Sequence, residues 1–248
     1  MRYAIGLEYE GSAYSGWQAL DHIASVQAEV ERALSPVADA PIKVVCAGRT
    51  DAGVHAHAQV AHFDAAVARP ERGWVLGANT HLPPDIAVLW CRAVPDDFHA
   101  RFSATARRYR YLLFDRRTRS ALWRQRTAFS SWPLDATAMH AAGQRLVGTH
   151  DFTSFRAAEC QARTPTRTVE WLRVQREGAL VILEVQANAF LHHMVRNIVG
   201  TLLPVGRGER DADWVSGVLA ARDRRVAGVT APPQGLYFAG VRYPERFA

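Results

Sequence analysis

Hydrophobic residues in the first part of the chain follow two spacings, the alternation typical of strands and the longer period typical of helices. They predict strands over residues 2–9, 42–47, 59–63 and 86–94. A helical period begins after Ser25, a residue type that favours helix N-caps, and we expect this helix to end before Pro36. A short helix is predicted over residues 71–79. This part of the chain therefore mixes strands with helices.

The second part of the chain repeats this mixture. Its apolar spacing predicts strands over residues 108–114, 169–175, 180–186 and 236–243. A turn at Gly178 joins the second and third of these strands into a hairpin. Helices are predicted over residues 134–146, 190–203 and 212–221.

A break in composition, Pro-Asp-Asp at residues 95–97, separates the two parts, and the chain becomes basic just after it. We therefore expect a domain boundary near residue 102, with an N-terminal domain over residues 1–102 and a C-terminal domain over residues 103–248. Because both domains mix strands and helices, the predicted fold class is α+β.

Length and composition are those of an ordinary globular protein. The 248 residues are 48% hydrophobic and 22% charged, which is enough for a substantial core. No apolar run approaches the roughly 20 residues that span a bilayer, and residues 1–9 contain no secretory apolar region, so we expect no membrane segment and no export signal. Cys46, Cys91 and Cys160 form no CxxC pair, which favours reduced thiols and a cytoplasmic protein.

The chain is basic, with a formal net charge of +6 and an isoelectric point near 9.6. Every lysine or arginine position except Lys43 is an arginine, which a compositional bias alone would explain. The distribution is more informative, because nine arginines and a single acid, Asp115, fall within residues 101–126. A solvated surface usually mixes both signs of charge, so this segment favours contact with the phosphates of a nucleic acid.

A compact polar loop follows the strand predicted over residues 42–47. Gly48 and Gly53 bracket the tripeptide Arg49-Thr50-Asp51, and glycines allow the backbone to turn sharply there. A tight turn capped by the aspartate itself is the simpler interpretation. Loops at strand ends also present reactive groups on a rigid scaffold, so Asp51 is a candidate catalytic residue if another part of the chain supplies a partner.

The helix predicted over residues 190–203 offers such a partner. Arg196 and His192 lie along one edge of its apolar stripe. An arginine in that position either extends to water or meets an anion, because an unpaired buried charge is costly. If Arg196 meets a carboxylate, Asp51 is the natural candidate, and the pair would hold a buried Asp51 ionised and oriented.

Arginines and tyrosines interleave at residues 107–111. Arg107 and Arg108 suit phosphate contacts, and a ring such as Tyr109 suits stacking on a base. Alternatively, this segment is a strand whose tyrosines pack in the core, and alternation predicts that fate for at least one of Tyr109 and Tyr111.

Histidines that follow Asp51 suggest a different chemistry. His55, His57, His62 and Asp64 are of the residue types that bind zinc or manganese. Their spacing matches no common ligand motif such as HExxH, so hydrogen-bonded or exposed histidines are the simpler account. Two alternatives therefore remain open: a metal-dependent phosphohydrolase that uses Asp51 together with these four residues, and a non-catalytic RNA-binding module that uses only the arginine–tyrosine surface.

Eight segments along the chain carry a family pattern: EYEGSAYSGWQ (8–18), SVQAEVERAL (25–34), CAGRTDAGVHAHAQVAHF (46–63), LPPDIAV (82–88), FHARFSATARRYRYLLF (98–114), GTHDFTSF (148–155), ANAFLHHMVRNIVG (187–200) and APPQGLY (231–237). Together they resemble the bacterial tRNA pseudouridine synthase A family along nearly the whole chain. Two residues depart from the pattern, Leu20 where many relatives have a second glutamine and Val229 where proline is usual. We expect neither to change the chemistry, and Leu20 to alter a tRNA contact at most.

The resemblance implies an isomerase that acts on tRNA with no cofactor and no metal. Its reaction breaks the uracil N1–C1′ bond at positions 38, 39 and 40 of the anticodon arm, turns the base and rejoins it through C5. By this resemblance Asp51 is the essential aspartate and Arg196 its basic partner. Arg49 fills the place of the extruded nucleotide, Tyr109 stacks on the uracil, and Leu236 forms an apolar wall of the pocket.

The family fold implied is also α+β, with two subdomains whose mostly antiparallel strands join into a central sheet. Helices pack outside this sheet, and a basic cleft holds tRNA in a homodimer.

Overall fold

The computed structural model describes residues 1–247, which contain ten strands and five α-helices. The strands are β1 (Arg2–Tyr9), β2 (Val45–Cys46), β3 (His55–Asp64), β4 (Ile86–Val94), β5 (Ala106–Asp115), β6 (Ala128–Ser130), β7 (Gly148–Asp151), β8 (Thr166–Glu177), β9 (Leu180–Ala187) and β10 (Leu236–Arg242). The helices are α1 (Val26–Ala38), α2 (Glu71–His81), α3 (Ala136–Gly143), α4 (Met194–Gly206) and α5 (Ala212–Ala221). Strand pairing is mostly antiparallel, so the predicted α+β class is confirmed.

The chain forms two compact units. Unit 1 contains residues 1–105 together with the C-terminal residues from 237 onward, and unit 2 contains residues 106–236. The helices α1 and α4 have 13 residues each, and within residues 1–247 no helix combines the length and apolar content of a membrane span.

Unit 1 is built on a sheet in which β1 pairs antiparallel with both β3 and β4. The C-terminal strand β10 joins β3 in parallel, with Tyr237 opposite His55. Helices α1 and α2 pack on each other, and α2 also packs on β4. The rings of Tyr3, Phe63 and Trp74 form one buried cluster with centroids 5.0–5.5 Å apart. Burial of this aromatic cluster fixes α2 on the sheet.

The first helix begins as predicted, because the Ser25 hydroxyl accepts a hydrogen bond from the Ala28 N–H. The predicted end before Pro36 is wrong. The helix continues to Ala38 and closes at Asp39 in the left-handed conformation. Proline removes one main-chain donor, and the Ser35 hydroxyl bonds the Glu31 carbonyl in the same turn, so the final turn persists.

Unit 2 is built on the antiparallel strands β5, β9, β8 and β7, in that order, with the short β6 parallel to the end of β5. The predicted hairpin is confirmed, and Gly178 adopts a positive φ of 58° in its turn. The strands β6 and β7 were not predicted. The helix predicted over residues 134–146 is α3 followed by a 3₁₀ turn at Gln144–Leu146.

Candidate active site

The loop of residues 48–53 lies where β2 separates from β3. The ladder between these strands ends at the pair Cys46 and Ala61, and the Ala47 N–H still bonds the Val60 carbonyl at 2.7 Å. Beyond that point the chain makes its own turn, in which the Val54 N–H donates to the Asp51 carbonyl at 3.1 Å. The chain rejoins the sheet at His55, four residues before the predicted strand start. The loop is therefore a short connection between β2 and β3, and both of its ends are hydrogen-bonded to the sheet.

A second segment, residues 14–17, anchors the loop from the side. Asp51 forms an isolated antiparallel bridge with Gly16, and the Trp17 N–H donates to the Thr50 carbonyl at 3.0 Å. The Gly53 N–H donates to the Tyr14 carbonyl at 3.3 Å. Gly16 has φ +104°, and a Cβ there would stand 2.7 Å from the Thr50 carbonyl oxygen, so only glycine allows this approach. The glycine before Trp17 thus serves the geometry of Asp51.

Side-chain exposure differs along the tip of the loop. Thr50 is buried and its hydroxyl lies 2.8 Å from the Tyr9 hydroxyl, whereas Arg49 is exposed and Asp51 is half-buried. Asp51 was expected to be buried, and the structure instead leaves it half-buried. The main chain of the tip is anchored, but its position at a turn lets the carboxylate reach the surface.

Arg196 lies in the first turn of α4 in unit 2. Its Nε donates to the Ala231 carbonyl at 2.7 Å, and the Ala231 N–H donates to the Arg196 carbonyl at 3.1 Å. The adjacent Asn197, which is fully buried, accepts hydrogen bonds from the Thr230 hydroxyl at 2.7 Å and from Arg224 at 3.0 Å. These bonds bind the segment of residues 228–231 to the start of α4.

Close packing holds the same segment on α4 one turn later. A Cβ at Gly200 would overlap the Val229 carbonyl oxygen, so glycine is required there. The Val229 side chain itself is 79% exposed. The departure from proline at this position therefore leaves the packing on α4 intact.

His192 does not lie on the helix. The predicted start at residue 190 is wrong because the chain enters α4 through His193 in the left-handed conformation, with φ +60°, and the first helical residue is Met194. Helical periodicity therefore cannot place His192 on one edge with Arg196. A left-handed residue interrupts the helix without interrupting the apolar spacing, so the pattern placed the start of the helix four residues too early.

Of the two tyrosines on β5, Tyr111 packs in the core, as alternation predicts. It is fully buried, its hydroxyl donates to the Pro232 carbonyl at 2.7 Å, and burial raises its pKa against the opposing effect of the Arg196 charge. A Cβ at Gly235 would stand 2.7 Å from the Tyr111 ring, so the chain that leads to Leu236 lies directly on this tyrosine. Leu236 is 5% exposed.

Tyr109 is 9% exposed and meets the Phe190 ring edge-on, with the centroids 5.0 Å apart. The neighbouring Arg107 is half-buried and donates to the Asn188 carbonyl at 3.1 Å, while Arg108 is exposed. Seven of the nine arginines between residues 101 and 126 are exposed, and Arg110 is paired with Glu184 at 2.9 Å. The segment therefore presents a strongly cationic surface.

The alternative metal-binding set does not converge. His55 and His57 lie two residues apart on β3, and each ring stacks on the Tyr237 ring with the centroids 4.7 Å apart. The register of β3 against β1 shifts by one residue between Ala56 and Gln59, so alternation does not continue from His55 and His57 to His62 and Asp64. Within residues 1–247, these four side chains do not bring three ligand atoms within 4.8 Å of one another. His62 accepts a hydrogen bond from the Ala100 N–H, and Asp64 pairs with Arg2 at 2.8 Å. The stack of His55, Tyr237 and His57 was not foreseen, since strand pairing across the chain creates it.

Comparisons with known proteins agree along the full chain. The family profile described as tRNA pseudouridine synthase matches residues 7–103 and 142–244. The chain is 59% identical over 249 residues to the tRNA pseudouridine synthase A of Xanthomonas euvesicatoria pv. vesicatoria, covering 100% of this chain and 97% of that protein. It is 54% identical over 248 residues to the tRNA pseudouridine synthase A of Pseudoalteromonas atlantica, covering 100% of this chain and 94% of that protein.

Proposed function

This chain belongs to the tRNA pseudouridine synthase family, and on that premise we propose that it isomerises uridine to pseudouridine at positions 38, 39 and 40 of the tRNA anticodon arm. One observation carries the proposal: Asp51 stands at the tip of a loop whose main chain is bonded to residues 14–17. A reaction at a sugar carbon needs a carboxylate held in a fixed direction, and this loop supplies one.

Asp51 acts on the ribose of the target uridine. Its carboxylate either attacks C1′ or removes a neighbouring proton, and the N1–C1′ bond breaks. The base then turns and C5 bonds to C1′, which displaces the carboxylate from C1′ in the first route, while in the second route the carboxylic acid returns its proton to the ribose. The C5 proton is lost and N1 gains a proton. Atoms and charge balance, so the reaction consumes no co-substrate, and we propose that it uses neither metal nor cofactor.

The other residues handle the base. A uridine in a stem is inaccessible unless it is extruded, and the exposed Arg49 at the loop tip suits the place that the nucleotide leaves. Tyr109 stacks on the uracil and takes the C5 proton, directly or through water. Leu236 forms an apolar wall of the pocket. Arg196 is the proposed partner of Asp51, and its Nε bond to Ala231 supports this role because it orients the guanidinium.

The RNA partner is bound through arginines, including Arg107 and Arg108, and the enzyme works as a cytoplasmic homodimer. The exposed arginines of residues 101–126 support an RNA-binding role, because phosphate contacts supply much of the affinity for a nucleic acid. All three cysteines are buried and unpaired, as suits a reducing compartment.

The test uses an unmodified tRNA transcript, the purified full chain and a buffer with chelator. Pseudouridine is mapped by mass spectrometry after nuclease digestion. Wild-type protein should modify uridines 38–40, and Asp51→Asn should abolish product while tRNA binding persists. Asp39→Asn is the matched control, since Asp39 is an exposed acid of unit 1 that pairs with Arg69. Binding without product by the wild type would favour the RNA-binding module, and full turnover by Asp51→Asn would overturn the role of Asp51.

A further inference from the structure

The side chain of Gln59 replaces main-chain pairing at the point where β2 ends. After the bond between Ala47 and Val60, the next main-chain groups of the departing strand belong to Gly48. The Gln59 amide nitrogen donates to the Gly48 carbonyl at 2.7 Å, and its amide oxygen accepts from the Gly48 N–H at 3.4 Å. Gln59 is fully buried on β3. One side chain thus satisfies both polar groups of the residue where the loop begins.

The same amide is also connected, through the Tyr9 hydroxyl, to Thr50, the residue that follows Arg49. The Gln59 nitrogen lies 3.4 Å from the Tyr9 hydroxyl, and that hydroxyl lies 2.8 Å from the Thr50 hydroxyl. Tyr9 is 4% exposed and Thr50 is 7% exposed, so these contacts are shielded from water. Burial raises the pKa of Tyr9, which keeps its hydroxyl protonated at neutral pH. A continuous buried network therefore runs from Gly48 through Gln59 and Tyr9 to Thr50.

We propose that Gln59 is a positioning residue for Asp51: through Gly48 on one side and Tyr9–Thr50 on the other, it fixes the main chain on both sides of Arg49 and so aims the carboxylate. This inference rests on the proposed function, in which Asp51 is catalytic. The Trp17 N–H donates to the Thr50 carbonyl, and the Tyr9 hydroxyl contacts the Thr50 hydroxyl, so Thr50 is held at both its main chain and its side chain. A displacement of about 1 Å in a catalytic group costs about 100-fold in rate, so such a clamp matters.

The network needs a primary amide in particular. A glutamine amide offers a donor and an acceptor on one planar group, whereas an ionised glutamate only accepts and a methionine does neither. Gln59→Met keeps the length and apolar stem while it leaves both Gly48 groups unbonded. A shorter asparagine would not reach from β3 to Gly48.

Unit 1 contains a matched control. The Asn79 side chain, on α2, donates to the Val88 carbonyl at 2.8 Å and accepts from the Val88 N–H at 2.8 Å. Asn79 bonds both main-chain groups of one residue, Val88, as Gln59 bonds both main-chain groups of Gly48. Val88 lies on β4 and is not part of the Asp51 loop. Asn79→Leu therefore removes the same two kinds of hydrogen bond without touching the proposed network.

The experiment measures kcat and KM of the full chain with tRNA labelled with tritium at uracil C5, since the C5 proton is released when C5 bonds to C1′. Gln59→Met should lower kcat about 10- to 100-fold and change KM less than about threefold. Asn79→Leu should lower the unfolding temperature less than Gln59→Met does, because Asn79 is exposed, and should change kcat less than about twofold. An equal loss of kcat in both variants, or none in Gln59→Met, would overturn the positioning role.

Milder variants cover the case in which Gln59→Met does not fold. Tyr9→Phe and Thr50→Val each break the network and should lower kcat, whereas Thr50→Ser keeps the hydroxyl and should restore most of it. Amide hydrogen exchange gives a readout without turnover: residues 48–53 should exchange faster in Tyr9→Phe and Gln59→Met than in wild type or Asn79→Leu. Unchanged exchange would overturn the inference even if the enzyme is active. Absence of pseudouridine with the wild type would instead overturn the proposed function itself.

Discussion

The Ala231 carbonyl oxygen accepts a hydrogen bond from Nε of Arg196 at 2.7 Å, and the Ala231 N–H donates back to the Arg196 carbonyl at 3.1 Å. The pair joins the first turn of α4 to the segment that leads into β10. Because Nε is fixed by a main-chain atom, the plane of the guanidinium is fixed as well. A lysine has no N–H at this position of the side chain, so it cannot be oriented in the same way.

Replacing Arg196 by lysine should therefore lower kcat even though the charge is kept. We expect a loss of about 100-fold, comparable to the removal of one oriented electrostatic partner from an active site. The measurement is the rate of pseudouridine formation at saturating tRNA. Arg145→Lys is the control, because Arg145 is a half-exposed arginine of unit 2 that pairs with Asp213. Wild-type kcat in Arg196→Lys would contradict the proposed pairing with Asp51.

The close approach at Gly200 predicts a strong effect of one methyl group. A Cβ at this position overlaps the Val229 carbonyl oxygen, a main-chain atom that cannot rotate away. Gly200→Ala should lower the free energy of unfolding by about 3 kcal/mol and lower activity, since the displaced segment carries Ala231. Gly217→Ala is the control, because nothing lies within 4 Å of a Cβ there, and alanine in α5 should stabilise by about 0.5–1 kcal/mol. Chemical denaturation of both variants checks the difference in sign.

The elements that depend on residues close together in sequence were the ones the sequence predicted. The period of apolar residues identified all five helices, and Gly178 identified the hairpin. The short strands β6 and β7 were not predicted, because strands of three or four residues are too short to show a pattern and form only by pairing with β5 and β8. The parallel pairing of Tyr237 with His55 escaped for the same reason, since the two residues are far apart in sequence.

The sequence names candidate residues for the site, whereas the hydrogen bonds that hold the Asp51 loop are visible only in the structure. Bracketing glycines marked Asp51, but no spacing in the sequence connects Gln59 to Gly48 or Trp17 to Thr50. Hydrogen bonds between side chains and distant main-chain groups leave no periodic signal. The start of α4 was misplaced because a single left-handed residue, His193, changes the chain direction without changing the apolar spacing.

A buried histidine predicts that unit 1 is sensitive to acid. Burial lowers the pKa of His62 to about 4, and the charges of His99 and Arg2 act in the same direction. An unfolded chain titrates its histidines near 6.5, so between pH 6.5 and 4 the unfolded state binds more protons. Stability that is present above pH 6.5 is therefore lost as the pH falls towards 4, by at most about 3 kcal/mol. Urea unfolding at pH 7 and pH 4.5 measures this loss.

His62→Gln should reduce that acid-dependent loss, because glutamine does not titrate. His81→Gln should not, since His81 is exposed at the end of α2. If the two variants lost equal stability between pH 7 and pH 4.5, the acid sensitivity would have another origin.

The cationic surface of residues 101–126 predicts a specific salt dependence of tRNA binding. Arg117, Arg119 and Arg124 are exposed, and their replacement by glutamine removes three charges without opening the core. If each contacts a phosphate, the slope of log K against log salt should fall by about 0.7–0.9 per arginine, roughly 2–3 in total. Binding titrations at several salt concentrations measure this slope, and kcat at saturating tRNA should change less than about twofold.

The control removes the same charge from other surfaces, through glutamine at three exposed arginines: Arg72, Arg92 and Arg210. Net charge falls equally in both triple variants, so a purely global electrostatic attraction would weaken binding equally in both. Direct phosphate contacts act only over short distances in salt, because a Debye length at physiological ionic strength is about 8 Å. A larger drop in slope for the first triple variant would therefore locate tRNA on residues 101–126, and equal drops would leave the arginine excess as a compositional bias.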